Sequence, residues 1–446
     1  MAIKNNRLSA NELNNNFKDI HPPFATDDAA LVESNRCLFC YDAPCTKSCP
    51  TSIDVPMFIK QIATQNTKGA AKTIFEANIL GAGCARVCPV EKLCEGACVY
   101  NLMQETPIHI AKLQRYATEN AIKEKWELFD KKENIGKKVA VVGAGPAGLS
   151  CAHYLAKKGI EVDIFEKEAQ GGGLMTYGVA AYKVTPEFCQ NEVDWVLSTG
   201  NIHIHYEKTL GKNITLSELR QQYNAVFLGI GVGVARPLNI PGEEMEGVCD
   251  AISFIYDIRT QNLQNIAVGD KVSVIGLGMT AIDAATQSKR LGAKEVTIIY
   301  RRTQNEKPCT QEEMDIARLD GCEFVFLTSP KEIKGQNGKI SHLVCEKMKL
   351  GDADASGRRK PVATGETFEI ETDMLIKAAG QMPFSELINE MSLDNTYGKI
   401  SINAQGKTNL EGVFAGGDAV NGGKEVVDAV QAGKVAAQSI LSYLNV

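Results

Sequence analysis

Two copies of one local pattern constrain the fold of this chain more than any other feature. KVAVVGAGPAG, from Lys138, reads as a buried strand, a glycine turn and the start of a helix, and VDIFEK supplies the next strand. KVSVIGLGMTAIDAATQSKRLGAKEVTIIYRR, from Lys271, repeats this layout about 130 residues later. Because strand–helix–strand units join parallel strands, an α/β fold with parallel sheets is predicted.

The first glycine turn has the spacing of a dinucleotide-binding loop. Gly143, Gly145 and Gly148 form G-x-G-x-x-G between a strand and a helix. The first glycine permits the tight turn, the second lets the backbone approach a pyrophosphate, and the third lets helix and strand pack closely. Glu166 ends the next strand, where a carboxylate can bind a ribose hydroxyl. The pattern therefore predicts a dinucleotide at this turn.

Two later stretches extend the first site. Gly171, Gly172, Gly173 and Leu174 form another loop that allows close backbone approach. VFAGGDAV is an apolar strand ending at Gly417–Asp418, with a helix behind it. The chain is thus expected to close the first site from both ends, with the second nucleotide-binding domain inserted between them.

The second glycine turn, Gly276-x-Gly278-x-x-Ala281, is followed by a strand that ends in Arg301–Arg302 instead of an acid. An acid there binds the 2′-hydroxyl of NAD, whereas arginines can pair with the 2′-phosphate of NADPH. NADPH is therefore predicted, with NADH as the alternative if the arginines are only solvated surface residues. The other residues assigned to this site are Met279, Thr280, Lys307, Ala378, Ala379 and Gly380.

Eight of the fourteen cysteines fall between Cys37 and Cys98, in the runs C-x₂-C-x₄-C-x₃-C-P and C-x₃-C-P-x₄-C-x₃-C. Such runs are typical of [4Fe–4S] proteins. Zinc is the alternative, although zinc favours paired C-x₂-C knuckles and C-x₂-C occurs once. Neither nucleotide block holds a C-x-x-C or C-x₄-C pair, so disulfide chemistry is not expected within these blocks.

GAGPAG, EK…GGGL and FAGGD together resemble the FAD domain of the flavin disulfide-reductase-like superfamily. This resemblance implies FAD at the first site. The residues it assigns to FAD are Gly143, Gly145, Pro146, Ala147, Gly148, Glu166, Lys167, Gly173, Leu174, Lys183, Leu210, Gly417, Asp418 and Val426.

Almost the whole chain is similar to the N-terminal half of dihydropyrimidine dehydrogenases, to their bacterial electron-transfer subunits and to glutamate synthase small subunits. The matching stretches are RCLFCYDAPCTKSCPTSID, GAAKTIFEANILGAGCARVCPVEKLCEGAC and PIHIAKLQRYATE. The family pattern implies two [4Fe–4S] clusters, one held by Cys37, Cys40, Cys45 and Cys98, the other by Cys49, Cys88, Cys94 and Gln114. Counting sulfur donors alone would instead make Cys84 the eighth ligand.

The predicted organisation is an all-helical cluster domain (1–130), an FAD domain (131–235 and 382–446) and an NAD(P)H domain inserted into it (236–381). The last two are expected to be Rossmann-like. ENAIKEKWELFDKKENIGKK is a charged, helix-prone connector between the first two domains.

Net charge is −6, without a basic run, so nucleic acid or a membrane surface is not expected as a partner. The N-terminus has no apolar core of a signal peptide, which predicts a cytoplasmic protein.

The resemblance implies an electron-transfer oxidoreductase. NADPH would give a hydride to FAD, and single electrons would pass through the clusters to a separate catalytic subunit. No catalytic side chain is named, because the cofactors supply the chemistry. The expected partner is an FMN-containing dihydropyrimidine dehydrogenase chain, with a glutamate synthase large subunit as the alternative. A flavin-based redox sensor or binding protein is an alternative of another class.

Overall fold

Two five-stranded parallel sheets organise the computed structural model, which describes residues 3–353, 357 and 359–446. Each sheet belongs to one of two compact units. The smaller unit runs to Asp19 and also contains Tyr177–Tyr182 and Val234–Gln381, and the larger unit consists of Ile20–Thr176, Lys183–Gly233 and Met382–Val446. The predicted mixed α/β fold with parallel sheets is confirmed.

The α-helices of the described chain are numbered in order, and short 3-10 turns lie at Val90–Lys92, Val99–Met103, Leu263–Asn265 and Gln304–Glu306. The helices are α1 (Ala10–Asn16), α2 (Asp27–Asn35), α3 (Pro44–Ser48), α4 (Val55–Ala63), α5 (Thr67–Ala77), α6 (Gly81–Val87), α7 (Ile110–Lys123), α8 (Pro146–Ala156), α9 (Leu174–Tyr177), α10 (Pro186–Leu197), α11 (Leu216–Gln222), α12 (Ala251–Thr260), α13 (Met279–Arg290), α14 (Gln311–Leu319), α15 (Ser385–Glu390), α16 (Asp418–Asn421) and α17 (Val426–Tyr443).

The strands are numbered in the same way. They are β1 (Lys138–Val142), β2 (Glu161–Phe165), β3 (Ile202–His205), β4 (Ala225–Leu228), β5 (Val248–Asp250), β6 (Lys271–Ile275), β7 (Glu295–Ile299), β8 (Glu323–Val325), β9 (Thr328–Gln336), β10 (Lys339–Ala353), β11 (Arg359–Glu371), β12 (Met374–Lys377), β13 (Asn395–Thr396), β14 (Lys399–Ile400) and β15 (Val413–Ala415).

The sheet of the larger unit has the order β15-β4-β1-β2-β3, with parallel pairing throughout. The chain moves from β1 outward to β3 and then returns to the other side of β1 with β4. The order therefore reverses between β1 and β4, and ligands of open α/β sheets bind at the carboxyl ends of the strands beside such a reversal.

The sheet of the smaller unit has a similar parallel topology in the order β5-β12-β6-β7-β8, but its outer strand β5 comes first in the chain, whereas β15 comes last. Its order reverses between β6 and β12. The antiparallel sheet β11-β10-β9 belongs to the same unit. The topology thus offers one ligand crevice at the carboxyl end of β6.

Helices of the cysteine-rich segment pack into the same apolar core as the first sheet. The predicted helical face of Val55, Phe58, Ile59 and Ile62 forms α4 and is buried. Phe75 of α5 packs on Trp195 of α10, with ring centroids 4.8 Å apart. One apolar cluster contains residues of α4, α5, α8 and the first sheet, so these helices and the sheet share one core.

The first residues of the described chain pack in the smaller unit. Lys4 forms a β-bridge with Val268, and Arg7 forms an ion pair with Asp270. Leu13 and Phe17, which are buried, join the core of the second sheet. The first part of the predicted 1–130 domain therefore packs with the smaller unit.

Candidate functional site

The first glycine turn follows β1 at the reversal of sheet order. Gly143 has a φ of +100°, and a Cβ atom there would lie 2.5 Å from the carbonyl oxygen of Gly229, which follows β4. A Cβ on Gly148 would lie 1.9 Å from the carbonyl oxygen of Gly143. Both positions need glycine because backbone atoms, which cannot move aside, occupy the space.

Helix α8 begins at this turn with Gly145 as its N-cap and Pro146 as its first residue, and no side chain caps it. The first N–H groups of a helix have no partner within the helix and carry its positive partial charge. Together with the close approach at Gly145, this end of α8 fits a phosphate group.

Glu166 is buried and joins the strand end to the glycine turn. Its Oε2 accepts a hydrogen bond from the N–H of Ala144 at 2.6 Å, and its Oε1 accepts one from the N–H of Glu168 at 2.9 Å. Burial raises the pKa of this carboxyl, and the two N–H groups lower it. The predicted ribose-binding carboxylate therefore also holds the loop in shape.

Gly173 and Gly145 face each other across a narrow gap. A Cβ on Gly173 would lie 2.8 Å from the Cα of Gly145. Leu174, directly after it, begins α9 and keeps a partly exposed side chain. The structure therefore brings the second glycine loop to the first, as a long dinucleotide requires.

The C-terminal part of the chain returns to the same turn. A Cβ on Gly417 would lie 3.0 Å from the Cβ of Ala147, and one on Gly433 of α17 would lie 2.1 Å from the carbonyl oxygen of Ala147. Burial raises the pKa of the Asp418 carboxyl, whose Oδ1 accepts from the N–H of Lys424 at 3.1 Å. Segments more than 260 residues apart thus meet at one place.

The other predicted FAD residues lie in the larger unit with less specific roles. Lys167 forms an ion pair with Glu168 at 3.3 Å. The side chains of Lys183 and Leu210 are buried, and Val426 is the first residue of α17.

The second glycine turn repeats the geometry of the first in the smaller unit. Gly276 has a φ of +125°, and a Cβ there would lie 2.5 Å from the carbonyl oxygen of Ala378, which follows β12. Gly278 is the N-cap of α13, which no side chain caps, so Met279 and Thr280 open the helix. Apart from its chain neighbours and its own helix backbone, a Cβ on Gly278 would have no atom within 4 Å, which leaves room for a phosphate.

The two arginines after β7 differ in their surroundings. Arg301 is exposed, whereas Arg302 is 8% exposed and donates from Nε to the carbonyl oxygen of Arg359 at 2.9 Å. Lys307 follows the 3-10 turn Gln304–Glu306. Arg301 is therefore the more exposed of the two arginines, while Arg302 also holds β11 in place.

Ala378, Ala379 and Gly380 follow β12 directly, on the strand that closes the crevice at β6. Gly380 has a φ of +98°, and its carbonyl oxygen accepts from the N–H of Arg236 at 2.8 Å. The predicted return strand of the second site thus lies beside the second glycine turn.

Four of the predicted cluster cysteines line one small cavity. Burial raises the pKa of Cys37, and it raises the pKa of Cys45 to about 11. Such thiols need a positive metal centre to become thiolates. The cavity residues are Cys37, Cys40, Cys45 and Cys98 together with Leu38, Pro44, Val55, Pro56, Ile59, Val99, Tyr100, Ile108 and Ile110.

The second predicted set gathers around Cys88, at the end of α6. The Cys84 side chain, burial and the charges of Cys94 and Cys49 all raise the pKa of the Cys88 thiol. Gln114 is buried on α7, and its Nε2 donates to the carbonyl oxygen of Gly81 at 2.6 Å. The cavity of the first set holds all four predicted cysteines, and thiols are the donors that iron–sulfur clusters use.

Within the described residues, no three His, Cys, Asp or Glu side chains form a group that could hold one metal ion. None of the helices in these ranges is long and apolar enough to cross a membrane.

Sequence reasoning missed Glu192, which links the cysteine-rich helices to the first sheet. Helix α6 has Leu80 as its N-cap and no capping side chain of its own. Glu192 of α10 supplies the acceptor, since its Oε1 receives the N–H of Gly83 at 2.6 Å. Burial raises the pKa of this carboxyl to about 7, although the N–H groups of Gly83 and Ala82 and the charge of Arg86 lower it.

Met175, next to the second glycine loop, also reaches α6. A Cβ on Gly83 would lie 2.8 Å from its Cε and 2.4 Å from Oε2 of Glu192. Met175, which follows the second glycine loop, is therefore in contact with the helix that leads to Cys88. The sequence does show that Leu80 cannot cap the N-terminus of α6 with its side chain. It does not show which distant carboxylate accepts the hydrogen bond instead.

Two protein-family models match the chain. The model described as pyridine nucleotide-disulphide oxidoreductase covers residues 137–433. The model described as dihydropyrimidine dehydrogenase domain II, 4Fe-4S cluster, covers residues 13–126. The first match contains both glycine turns, and the second contains both cysteine runs.

Two relatives match almost end to end. The glutamate synthase [NADPH] small chain of Escherichia coli (strain K12) is 33% identical over 452 residues, 96% of this chain and 94% of that protein. The NAD-dependent dihydropyrimidine dehydrogenase subunit PreT of the same organism is 33% identical over 431 residues, 96% of this chain and 98% of that protein. The resemblance inferred from the motifs is thereby confirmed.

The solved structure of Mycobacterium tuberculosis FprA in complex with NADPH is similar in fold. It superposes with a TM-score of 0.58 and 22% identity, covering 69% of this chain and 84% of that chain. At this level of identity the match supports the fold alone.

Proposed function

We propose that this chain, which belongs to the pyridine nucleotide-disulphide oxidoreductase family, is an electron-transfer oxidoreductase that links NADPH to a catalytic partner. When bound, FAD would accept a hydride from the coenzyme, and iron–sulfur clusters would carry the electrons away singly. The observation that carries the proposal is structural. The FAD-type glycine turn and both cysteine groups lie in one unit with one apolar core.

The chain's own residues have definable tasks in this proposal. The turn at Gly143–Gly148 would hold the pyrophosphate of FAD on α8, with Glu166 on the ribose and Asp418 on the sugar alcohol. The turn at Gly276 would hold the coenzyme on α13. The proposed domains are 1–130 for the clusters, 131–235 and 382–446 for FAD, and 236–381, inserted in the FAD domain, for NADPH.

Two [4Fe–4S] clusters are proposed in the N-terminal segment. The cavity of Cys37, Cys40, Cys45 and Cys98 supports the first cluster. The gathering of Cys49, Cys88 and Cys94, with Gln114 nearby on α7, supports the second. In this proposal apolar walls around the first set exclude water, and burial is one of the factors that set a cluster's potential.

The partner proposed first is an FMN-containing dihydropyrimidine dehydrogenase chain, because the glutamine at position 114 resembles that family. The alternative is a glutamate synthase large subunit, since the small chain of that enzyme is an equally similar relative. The cytoplasm is the proposed compartment, where cysteines stay reduced.

Anaerobic turnover tests the proposed function. The holoprotein, mixed with NADPH, should lose its flavin absorbance rapidly and then reduce a one-electron acceptor in the ratio of two acceptors per NADPH. Flavin reduction without turnover would favour a redox sensor. Adding a purified dihydropyrimidine dehydrogenase catalytic chain or a glutamate synthase large subunit, each with its substrate, then identifies the partner by NADPH-dependent product formation.

Coenzyme choice should depend on Arg301. One similar relative is named with NADPH and another as NAD-dependent, so the relatives do not indicate which coenzyme to expect. The expectation of NADPH therefore depends on Arg301. Arg301→Glu should lower kcat/KM for NADPH at least tenfold relative to kcat/KM for NADH, because a charge-assisted hydrogen bond contributes about 1.5–3 kcal/mol. The measurement is kcat/KM for each coenzyme.

Arg318→Glu is the matched control for this experiment, since Arg318 carries the same charge on α14 and pairs with Asp315. It should leave the ratio of kcat/KM for NADPH to kcat/KM for NADH unchanged. If Arg301→Glu lowers kcat/KM equally for NADPH and NADH, this arginine does not bind the 2′-phosphate.

A further inference from the structure

Helix α10 holds the second glycine loop through two neighbouring side chains. Nε2 of Gln190 donates to the carbonyl oxygen of Gly171 at 3.1 Å and to Oγ1 of Thr176 at 3.3 Å. The thiol of Cys189 donates to the carbonyl oxygen of Met175 at 3.1 Å. The loop and the start of α9 are therefore fixed to α10 by hydrogen bonds.

A third side chain of α10 holds α6. Glu192 lies one helical turn after Cys189 and is 3% exposed. Its Oε1 accepts a hydrogen bond from the N–H of Gly83 at 2.6 Å. This N–H lies in the first turn of α6, where N–H groups have no partner within the helix. Because a buried carboxylate is costly unless it accepts such bonds, Glu192 and the first turn of α6 stabilise each other.

Gly83 allows side chains from outside α6 to pack closely on this helix. A Cβ on Gly83 would lie 2.4 Å from Oε2 of Glu192 and 2.8 Å from Cε of Met175. Helix α6 ends at Val87, directly before Cys88, so the position of the helix also determines where Cys88 lies. Helix α10 therefore connects the glycine loop of the proposed FAD site to a proposed cluster ligand.

We propose that Glu192 is a positioning residue that fixes α6 against α10 and thereby sets the rate of electron transfer from the flavin to the cluster held by Cys88. The inference rests on the proposed function, since it takes FAD at the first glycine turn and Cys88 as a cluster ligand. Electron transfer between two bound cofactors slows steeply as their separation grows, and holding them in place is the task of the protein. Glu192 thus affects the rate without itself carrying an electron.

Three variants of Glu192 separate its position from its charge. Glu192→Ala removes the hydrogen-bond acceptor. Glu192→Gln keeps the length and an acceptor but removes the charge, whereas Glu192→Asp keeps the charge on a shorter side chain. The matched control is Glu218→Ala, because the Glu218 carboxylate accepts from the N–H of Thr215 at 2.9 Å at the start of another helix, α11.

Gly83→Ala tests the same contact from α6. Alanine favours a helix more than glycine does. The atoms that its methyl group would displace are the ends of two flexible side chains, Glu192 and Met175. The variant should therefore fold, with the Glu192 carboxylate moved away from the first turn of α6.

Two measurements are made on each full-length holoprotein under anaerobic conditions. Hydrogen exchange of the α6 amides reports the bond between Gly83 and Glu192 without turnover. The NADPH-reduced protein is then mixed with a one-electron acceptor, and flavin reoxidation is followed by stopped-flow absorbance. Cys88→Ala, which should lose the second cluster, gives the rate of direct flavin reoxidation, and this rate is subtracted.

Glu192→Ala and Gly83→Ala should keep the FAD and iron content of the wild type, because α10 still holds the glycine loop. Their α6 amides should exchange faster than those of the wild type. Flavin reoxidation through the clusters should fall about tenfold or more, since a misplacement on the order of 1 Å slows a positioned reaction strongly. Glu192→Gln should restore both values, Glu192→Asp should not, and Glu218→Ala should change neither.

An unchanged rate of flavin reoxidation in both Glu192→Ala and Gly83→Ala, at full iron content, would overturn the inference. Recovery by Glu192→Asp but not by Glu192→Gln would also overturn it, because the charge and not the position would then matter. Loss of iron in both variants would do the same, since the contact would then be needed to bind the cluster. If the wild-type flavin is reoxidised no faster than that of Cys88→Ala, the proposed function itself is wrong and the inference is removed with it.

Discussion

Replacing Gly145 with alanine is expected to remove FAD from a chain that still folds. A Cβ at this position would lie 3.8 Å from the Cα of Gly173, which is an ordinary contact. The methyl group would nevertheless occupy the space through which the pyrophosphate approaches the first turn of α8. Losing two charge-assisted hydrogen bonds of about 1.5–3 kcal/mol each predicts an affinity for FAD weaker by roughly a hundredfold or more.

Gly148→Ala provides the contrast, because a Cβ there would lie 1.9 Å from the carbonyl oxygen of Gly143. That variant should lose stability as well as FAD, which thermal unfolding of the apoprotein would show. Gly278→Ala, at the corresponding position of the second turn, should leave the FAD content unchanged and lower the affinity for NADPH. Normal FAD content in Gly145→Ala would mean that the pyrophosphate does not lie on α8.

Cys98→Ala is expected to separate flavin reduction from electron delivery. Cys98 lines the cavity of the first cysteine set, so its loss should destroy or convert that cluster. The rate of electron transfer to the catalytic partner should fall by about a hundredfold or more, because no other carrier is proposed between the flavin and the partner. The rate of flavin reduction by NADPH, measured by stopped-flow absorbance, should stay within about twofold of the wild type.

The control for this variant is Cys309→Ala, which removes a buried thiol from the smaller unit. It should affect neither step. If Cys98→Ala retains FAD but NADPH no longer reduces it, the proposed order of carriers is wrong.

The local parts of the fold could be read from the sequence. Strand, turn and helix follow one another within a few residues at both glycine turns, and glycines at fixed spacing leave few alternative conformations. The buried face of α4 was also predicted correctly, since its four apolar residues have helical spacing and are buried. Family resemblance added the grouping of the cysteines, which spacing alone left open.

Non-local contacts account for what the sequence did not reveal. Glu192 caps α6 from a position 109 residues away, so neither segment by itself predicts the bond. Arg302 resembles Arg301 in the sequence, but only the packing of β11 distinguishes them. Residues before Asp19 join the smaller unit through Val268 and Asp270, partners about 260 residues away.

The connector after α7 shows a further difference from expectation. Its charges and helix-forming residues favour a helix, but α7 ends at Lys123, and Lys125 has a φ of +50°. The N–H of Trp126 turns back to the carbonyl oxygen of Ala121, and Leu128 is buried in the core of the larger unit. Burial of these apolar side chains outweighs the local helix propensity.

The cofactor content of the anaerobically purified chain is the decisive measurement for the proposed function. We expect one FAD, no FMN and about eight irons per chain, from two [4Fe–4S] clusters. Dithionite-reduced protein should then give the paramagnetic resonance signal of reduced [4Fe–4S] centres. One or two zinc ions in place of the iron, or a chain that holds FAD without any cluster, would contradict the account.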